Sequence, residues 1–377
     1  MQLGQFIASA TLIVLMTQPG VAAEDRPRAR DLGIAPGVME PGPHNAITDV
    51  AGVKVGHVTL ISGERVRTGV TALLPHDGNL FQHKVPGGVF VGNAFGKLAG
   101  STQVQELGTI ETPIVLTNTL AVGPAIEGVV AWTLAQPGNE QVRSVNAIVG
   151  ETNDADLNDI RGGHVTQSHV IEAIRSAAAG SVKEGAVGAG TGTSAFGWKG
   201  GIGTASRRVR MHDEVWTVGV LVQSNFGGRL TIAGVPAWRE LSSNAKGPDA
   251  PAGSPDGSCM IVVATDAPLD ARNLERLAAR AVYAMARTGS TYSNGSGDFA
   301  IAFSTHPSLR VTSAERPQSR MILPSDATSA LFEAVLDATE EAIYNSMLQA
   351  TDTTGNGRTV RAIPIEPLEA LLAKYGR

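Results

Sequence analysis

Hydrophobic and polar positions alternate along Val53-Lys54-Val55-Gly56-His57-Val58, the period-two pattern of a strand with one buried face. Apolar stretches of strand length recur at residues 69–74, 88–91, 113–117, 146–150, 216–223, 260–265 and 299–303. Between them the period changes. Val170, Ile171, Ile174 and Ala178 stand at helical spacing within residues 166–179. Asp266-Ala267-Pro268 opens a second helix, with proline near its first turn and Leu274, Leu277, Ala281 and Met285 on one face. A long helix is expected over 325–350, its buried stripe marked by Leu331, Val335, Ile343 and Met347. Strands and helices alternate irregularly, which fits a layered α/β or α+β domain, and no linker divides the chain in two.

The interruptions of this pattern are informative. Residues 25–45 are rich in proline, glycine and charge and read as an extended arm, so the folded part is expected to start near Ile47. Residues 242–258 (SSNAKGPDAPAGSPDGS) have no apolar period and read as a loop, after which a strand begins at once. Gly289 to Asp298 reads as another loop. Near the start, Phe6 to Met16 is an apolar run of eleven, too short to span a bilayer and suited to the core of a signal peptide. Val21-Ala22-Ala23 supplies small residues at a cleavage site before Glu24. We therefore expect residues 1–23 to be removed and the protein to be periplasmic or secreted. The absence of Lys and Arg from Met1–Gln5 leaves an uncleaved apolar segment as the alternative.

Composition narrows the function classes. The 377 residues are 42% hydrophobic and 17% charged, with a net charge of −5 and no long basic run, which argues against a nucleic-acid surface. Forty-four glycines against 9 Phe, 4 Trp and 4 Tyr point to tight backbone packing. Cys259 is the only cysteine, which excludes an intrachain disulfide and a cysteine-based zinc site. The histidines include no H-E-x-x-H, and Asp154 to Asp159 lacks the glycine and glutamate of a calcium loop. Residues 188–203 are glycine-rich without a phosphate-binding motif and read as close backbone packing. No metal and no cofactor is expected.

The candidate chemistry lies where the 242–258 loop meets its strand. Ser258 at the first position of a strand places a hydroxyl at a sheet end. If the Gly257–Ser258 bond is cut, the same residue gains an α-amino group with a pKa of about 8, able to act as general base without a histidine. Glycine at 257 leaves its carbonyl open to the Ser258 hydroxyl. Asn294-Gly295-Ser296-Gly297-Asp298 offers a second serine and a carboxylate two residues on, a pair suited to handling the amine's proton. Each motif alone is also compatible with an ordinary polar turn. Strand alternation points Cys259 away from Ser258, as a small core residue.

Taken together, the stretches ITDVAGVKVGH (47–57), GNAFGKLAG (92–100), GETNDADLND (150–159), GAGTGTSAFGWKGGIGTASR (188–207), VLVQSNFG (220–227), DGSCM (256–260) and SNGSGDFAIAFST (293–305) resemble the self-processing aminopeptidases that include the β-peptidyl aminopeptidases and the L-aminopeptidase/D-amidase-esterases. The resemblance runs through nearly all of the chain after residue 46. It implies an α+β four-layer αββα sandwich similar to the N-terminal-nucleophile hydrolases with different connectivity, built from residues 24–257 and 258–377 after self-cleavage. It implies Ser258 as nucleophile, Ser296 and Asp298 as its partners in proton handling, Asn225 as oxyanion donor, Glu151 as the group binding the substrate's amine, and Asn153 beside oxyanion or substrate. Short peptides, amides or esters with a free amine would be the substrates, and a homotetramer of processed units the assembly. Glu151-Thr152-Asn153 is more similar to the β-peptidyl branch, with β-alanine a natural N-terminal residue, whereas Asp298 replaces a glutamate that branch can carry. L-aminopeptidase action with D-amidase or esterase action is therefore the alternative. An unprocessed periplasmic binding or structural protein is the alternative of another class.

Overall fold

The computed structural model describes residues 26–241, 257–312 and 317–377. The expected signal peptide (1–23) and nearly all of the expected processing loop (242–256) lie outside the described residues. The strand-forming segments assemble into two large sheets. The first has the order β1-β2-β6-β7-β4, from Lys54–Ser62 (β1), Val66–Leu74 (β2), Ile114–Asn118 (β6), Ile148–Thr152 (β7) and Leu98–Ala99 (β4). The second has the order β10-β11-β12-β13-β3-β5, from Gly201–Met211 (β10), Glu214–Asn225 (β11), Ser258–Thr265 (β12), Gly297–Ser304 (β13), Val85–Ala94 (β3) and Thr109–Ile110 (β5). Two small hairpins, Ser194–Ala195 with Trp198–Lys199 (β8, β9) and Thr353–Gly355 with Arg358–Val360 (β14, β15), flank them. The helices are Ser101–Leu107 (α1), Val122–Leu134 (α2), Gln167–Arg175 (α3), Ala237–Glu240 (α4), Ala271–Arg287 (α5), Ser329–Leu348 (α6) and Ile365–Lys374 (α7). Among the described residues none is long and apolar enough to cross a membrane.

The sheets stack on a shared core in which Leu73, Leu116 and Ile148 of the first meet Leu221, Met260, Val262 and Ile301 of the second. The outer face of the second sheet (Val220, Val222, Ile261, Val263) buries α5 and α6 through Leu274, Leu277, Val335 and Ile343. The outer face of the first (Val70, Ala72, Val115, Val149) buries α2 and α3 through Val129, Val170 and Ile174. The result is an αββα sandwich of α+β class, as expected. Covering both sheet faces explains why Met260-Ile261-Val262-Val263 is a continuous apolar run.

Several boundaries differ from the sequence reading. Helix α3 ends at Arg175, because Ala178 instead exchanges backbone hydrogen bonds with Val55 at the edge of β1. Helix α5 starts at Ala271 rather than at Asp266: Asp270 caps it by accepting from the Asn273 N–H at 2.9 Å, while the Asp266 carboxylate accepts from Thr217 N–H. Strand β10 has no counterpart in the sequence reading, since glycine and arginine break its apolar alternation. Helix α6 is buried on every side from Asp337 to Leu348, not along one stripe. The second sheet and α5 cover one side of it, and the arm over residues 26–49 together with α7 covers the rest. The buried Glu341 carboxylate accepts from Arg207 Nη2 (2.7 Å) and Arg30 Nε (3.1 Å), and Arg26 donates to the Leu348 and Ile363 carbonyls.

Candidate active site

Ser258 begins the central strand β12. Its register partners are Asn225, the last residue of β11, and Gly297, the first residue of β13. The ends of three adjacent strands thus converge on one serine. The Ser258 hydroxyl is buried and has no hydrogen-bond partner among the described residues, so its lone pairs and proton are uncommitted. It faces a cavity of ≈ 990 Å³ lined also by Gly257, Asn225, Glu151 and Asn153, with Phe95, Phe196 and Phe226 as apolar walls.

The carbonyl of Gly257 accepts a hydrogen bond from Gly297 N–H at 3.0 Å. A Cβ on residue 257 would stand 2.2 Å from the Asn225 carbonyl oxygen and 2.6 Å from Phe226 Cα. Only glycine therefore fits between β11 and β13 at the residue before Ser258. This is a steric demand on top of the open carbonyl expected from sequence.

Ser296 and Asp298 stand behind the cavity wall; of their loop only Gly295 reaches the lining. Ser296 Oγ donates to Asp298 Oδ1 at 2.8 Å, and both residues are buried. Asp298 Oδ2 is buried without a partner in hydrogen-bonding geometry. Burial pushes the Asp298 carboxyl up to about 6, while the Ser296 hydroxyl and the nearby Cys259 N–H oppose the rise. Cys259 itself points into the helix-side core, and burial with the neighbouring Asp298 drives its thiol well above the ordinary range. It is an inert core residue, as strand alternation implied.

Glu151, on β7 of the other sheet, reaches the same cavity. One carboxylate oxygen accepts from Lys97 N–H (3.0 Å) and Lys97 Nζ (3.2 Å), and the other from Thr119 Oγ1. The 93–97 loop that brings Lys97 also donates Phe95 N–H to the Ser296 carbonyl at 3.1 Å, tying the two sheets together at the site. Asn225 has its side-chain amide fixed at both ends: Nδ2 donates to the Asn153 carbonyl (3.0 Å) and Oδ1 accepts from Ser194 N–H (3.0 Å). An amide nitrogen carries two hydrogens, so one remains for the cavity. The Asn153 side chain is exposed and accepts from Ala155 N–H, so it is this residue's backbone rather than its side chain that meets Asn225.

Five of the seven candidate residues, Glu151, Asn153, Asn225, Gly257 and Ser258, line one cavity, while Ser296 and Asp298 pair with each other behind its wall. Lys97, Thr119, Ser194 and the Gly297 N–H were not picked out from sequence. Lys97 lay inside a glycine-flanked motif, which was a usable signal, while the backbone donors left none. The glycine-rich stretch packs as closely as expected: a Cβ at Gly190, Gly200 or Gly201 would meet neighbouring backbone at 2.2–2.5 Å. Among the described residues no group of three His, Cys, Asp or Glu side chains is placed to hold a metal ion.

The family model for peptidase family S58 matches residues 45–360. The chain belongs to peptidase family S58. Among its relatives in that family is the beta-peptidyl aminopeptidase BapA of Sphingosinicella microcystinivorans, 43% identical over an alignment covering 99% of this chain and 98% of the relative. The solved beta-aminopeptidase of a Burkholderia species is 39% identical with a TM-score of 0.84, covering 93% of this chain and 99% of that one. The L-aminopeptidase D-Ala-esterase/amidase of Ochrobactrum anthropi, described as a prototype of the serine aminopeptidases and a new variant of the Ntn hydrolase fold, is 38% identical with a TM-score of 0.86 over the same shares.

Proposed function

We propose that this S58 peptidase is a self-processing serine aminopeptidase that removes β-amino-acid residues such as β-alanine from the N-termini of short peptides, amides or esters. The observation that carries the reading is the uncommitted Ser258 hydroxyl sharing one cavity with the Glu151 carboxylate. In the precursor, Ser258 Oγ attacks the Gly257 carbonyl carbon. The Gly297 N–H on that carbonyl's oxygen favours the developing oxyanion. The hydroxyl proton passes to the departing nitrogen as the C–N bond breaks, which leaves an ester on Ser258 Oγ and a free Ser258 α-amine, and water then hydrolyses the ester to a Gly257 carboxylate and the Ser258 hydroxyl. That amine gives the buried Asp298 the cation it lacks.

In the processed enzyme the α-amine takes the Ser258 hydroxyl proton as Oγ attacks the substrate carbonyl. The free Asn225 N–H stabilises the oxyanion, and the protonated amine returns its proton to the leaving group. Water completes the cycle through the same groups. Glu151 binds the substrate's ammonium in place of the Lys97 ammonium, which explains a demand for a free N-terminus. The β-preference rests on the Glu151-Thr152-Asn153 triplet and on the activities named for the relatives. Asp298 favours the second reading, cleavage of L-residues with D-amidase action. Comparing β-alanyl and L-alanyl anilides tests this, and faster L-alanyl cleavage would overturn the β-assignment.

Export with loss of residues 1–23, and assembly of processed units into a homotetramer, belong to the same proposal. N-terminal sequencing reads both cut sites, and native mass reads the assembly. A denaturing gel separates the enzyme from an unprocessed binding protein. Two bands of roughly 24 and 12 kDa, in proportion to the 39.0 kDa of the whole chain, are expected, and a single full-length band would defeat self-processing.

A further inference from the structure

We infer that Lys199 and Asp154, a buried pair of opposite charge outside the catalytic cavity, form a positioning unit for the side-chain amide of Asn225. The inference rests on the reading of Asn225 as oxyanion donor. That amide is held by two backbone groups, the Asn153 carbonyl and the Ser194 N–H. Each belongs to a segment anchored by one member of the pair. Asn153 is followed directly by Asp154, whose Oδ1 accepts from Asn158 Nδ2 at 3.0 Å and whose carbonyl accepts from the Leu157 and Asn158 N–H groups. Ser194 is the register partner of Lys199 across the β8–β9 hairpin.

Lys199 Nζ donates to the Gly190 carbonyl (2.9 Å) and the Gly200 carbonyl (2.7 Å), clasping the two flanks of that hairpin. Thr193 completes the clasp, its hydroxyl donating to Gly190 O and its carbonyl accepting from Gly200 N–H. The two anchors are packed together: a Cβ on Gly192 would stand 2.9 Å from Asp154 Cβ. Neither charged side chain reaches solvent.

An apolar side chain would fill such a site at less cost than an ammonium satisfied by two carbonyls. Burial lowers the Lys199 ammonium to about 7 and raises the Asp154 carboxyl to about 6, and in each case the other's charge works against the shift. The packing of Gly192 on Asp154 holds the hairpin against the loop after β7, and the opposite charges of the two buried groups favour the same arrangement. The distance between the Ser194 N–H and the Asn153 carbonyl is set by that packing of the hairpin's flank on Asp154. The Asn225 amide bridges the two, and so its second N–H is aimed at the cavity.

The test is a double-mutant cycle on processed enzyme, with rates referred to the processed chain on a denaturing gel. Lys199→Met combined with Asp154→Asn should lower kcat by about tenfold to a hundredfold, with KM changed less than about twofold. In an Asn225→Ala background the same pair of substitutions should lower kcat by less than about twofold further, because the group they act through is gone. Equal fold-losses in both backgrounds, a loss confined to KM, or an unchanged kcat would each overturn the inference. An Asn225→Ala enzyme with parental kcat would instead remove the oxyanion reading, and this inference with it. If the combined variant gives no folded protein, Asp154→Asn alone carries the cycle with the same expected non-additivity, and additivity there overturns the inference equally.

Discussion

A carboxylate buried without a cation is expensive, and in the uncleaved chain Asp298 is such a group, with one oxygen on Ser296 and the other unpartnered. Its raised value sets a direction with pH. Between about 4 and about 6 the folded chain holds a proton that the unfolded chain has released, so ionising Asp298 lowers stability as pH rises through this window. In the proposed self-cleavage the ionised Asp298, through Ser296, would draw the proton from Ser258, so the rate should rise over the same window and level off above about pH 6. Following precursor loss on gels at a series of pH values checks this. Asp298→Asn should remove the rise and slow cleavage throughout, whereas an unaltered rise in that variant would assign it to another group. Ser258→Ala should leave a full-length chain that neither cleaves itself nor hydrolyses any anilide, and two-band processing in this variant would end the assignment. At this scale the sequence was most legible for side chains that carry chemistry. Ser258, Ser296 and Asp298 are close in the chain or at strand starts, so the roles proposed for them rest on local pattern and resemblance. The Gly297 N–H and the Ser194 N–H are backbone donors whose partners lie 31 to 40 positions away, and no residue type announces them.

Strand β12 shows how an element can be both core and catalytic framework. All eight of its residues are buried, and its first residue is the proposed nucleophile. Because Gly257 is wedged against Asn225 O, Gly257→Ala should displace the scissile carbonyl from the Gly297 N–H and slow self-cleavage by about tenfold or more. Time courses of purified precursor measure this, and parental kinetics would show that the carbonyl's placement does not matter. Helix α6 makes the complementary point about stability. Removing the Glu341 carboxylate by Glu341→Ala leaves the buried Arg207 guanidinium without its anion and should cost about 3–5 kcal/mol, read as a lower denaturation midpoint. The apolar stripe of α6 was legible at Leu331, Val335, Ile343 and Met347. The burial of its polar face was not, because Glu341 is met there by Arg30, 311 positions earlier, in an arm that reads as a polar, proline-rich lead-in. Strand β10 escaped for the same reason: Arg207 sits in a strand interior only because Glu341 and the Pro36 carbonyl are there to receive it.

At the scale of the whole molecule, the proposed cut falls inside a sheet rather than between domains. Strand β12 of the second fragment pairs along its full length with β11 of the first, and β13 of the second pairs with β3 of the first. Helix α6 of the second fragment packs on β10 and β11, and its Glu341 is neutralised by Arg30 and Arg207, both from the first. Breaking the Gly257–Ser258 bond therefore removes one covalent link while leaving the sheet ladder, the shared cores and the buried ion pairs intact. The two fragments should stay together through size-exclusion chromatography at high salt, since buried pairs and apolar contacts are little screened. They should separate only when denaturant unfolds the sheet. Neither fragment expressed alone should give a cooperative unfolding transition, because each would expose the face of a half-built core. Separation of folded fragments under native conditions would mean that the strands flanking Ser258 do not form one sheet, and the convergence of β11, β12 and β13 on that serine would fall with it.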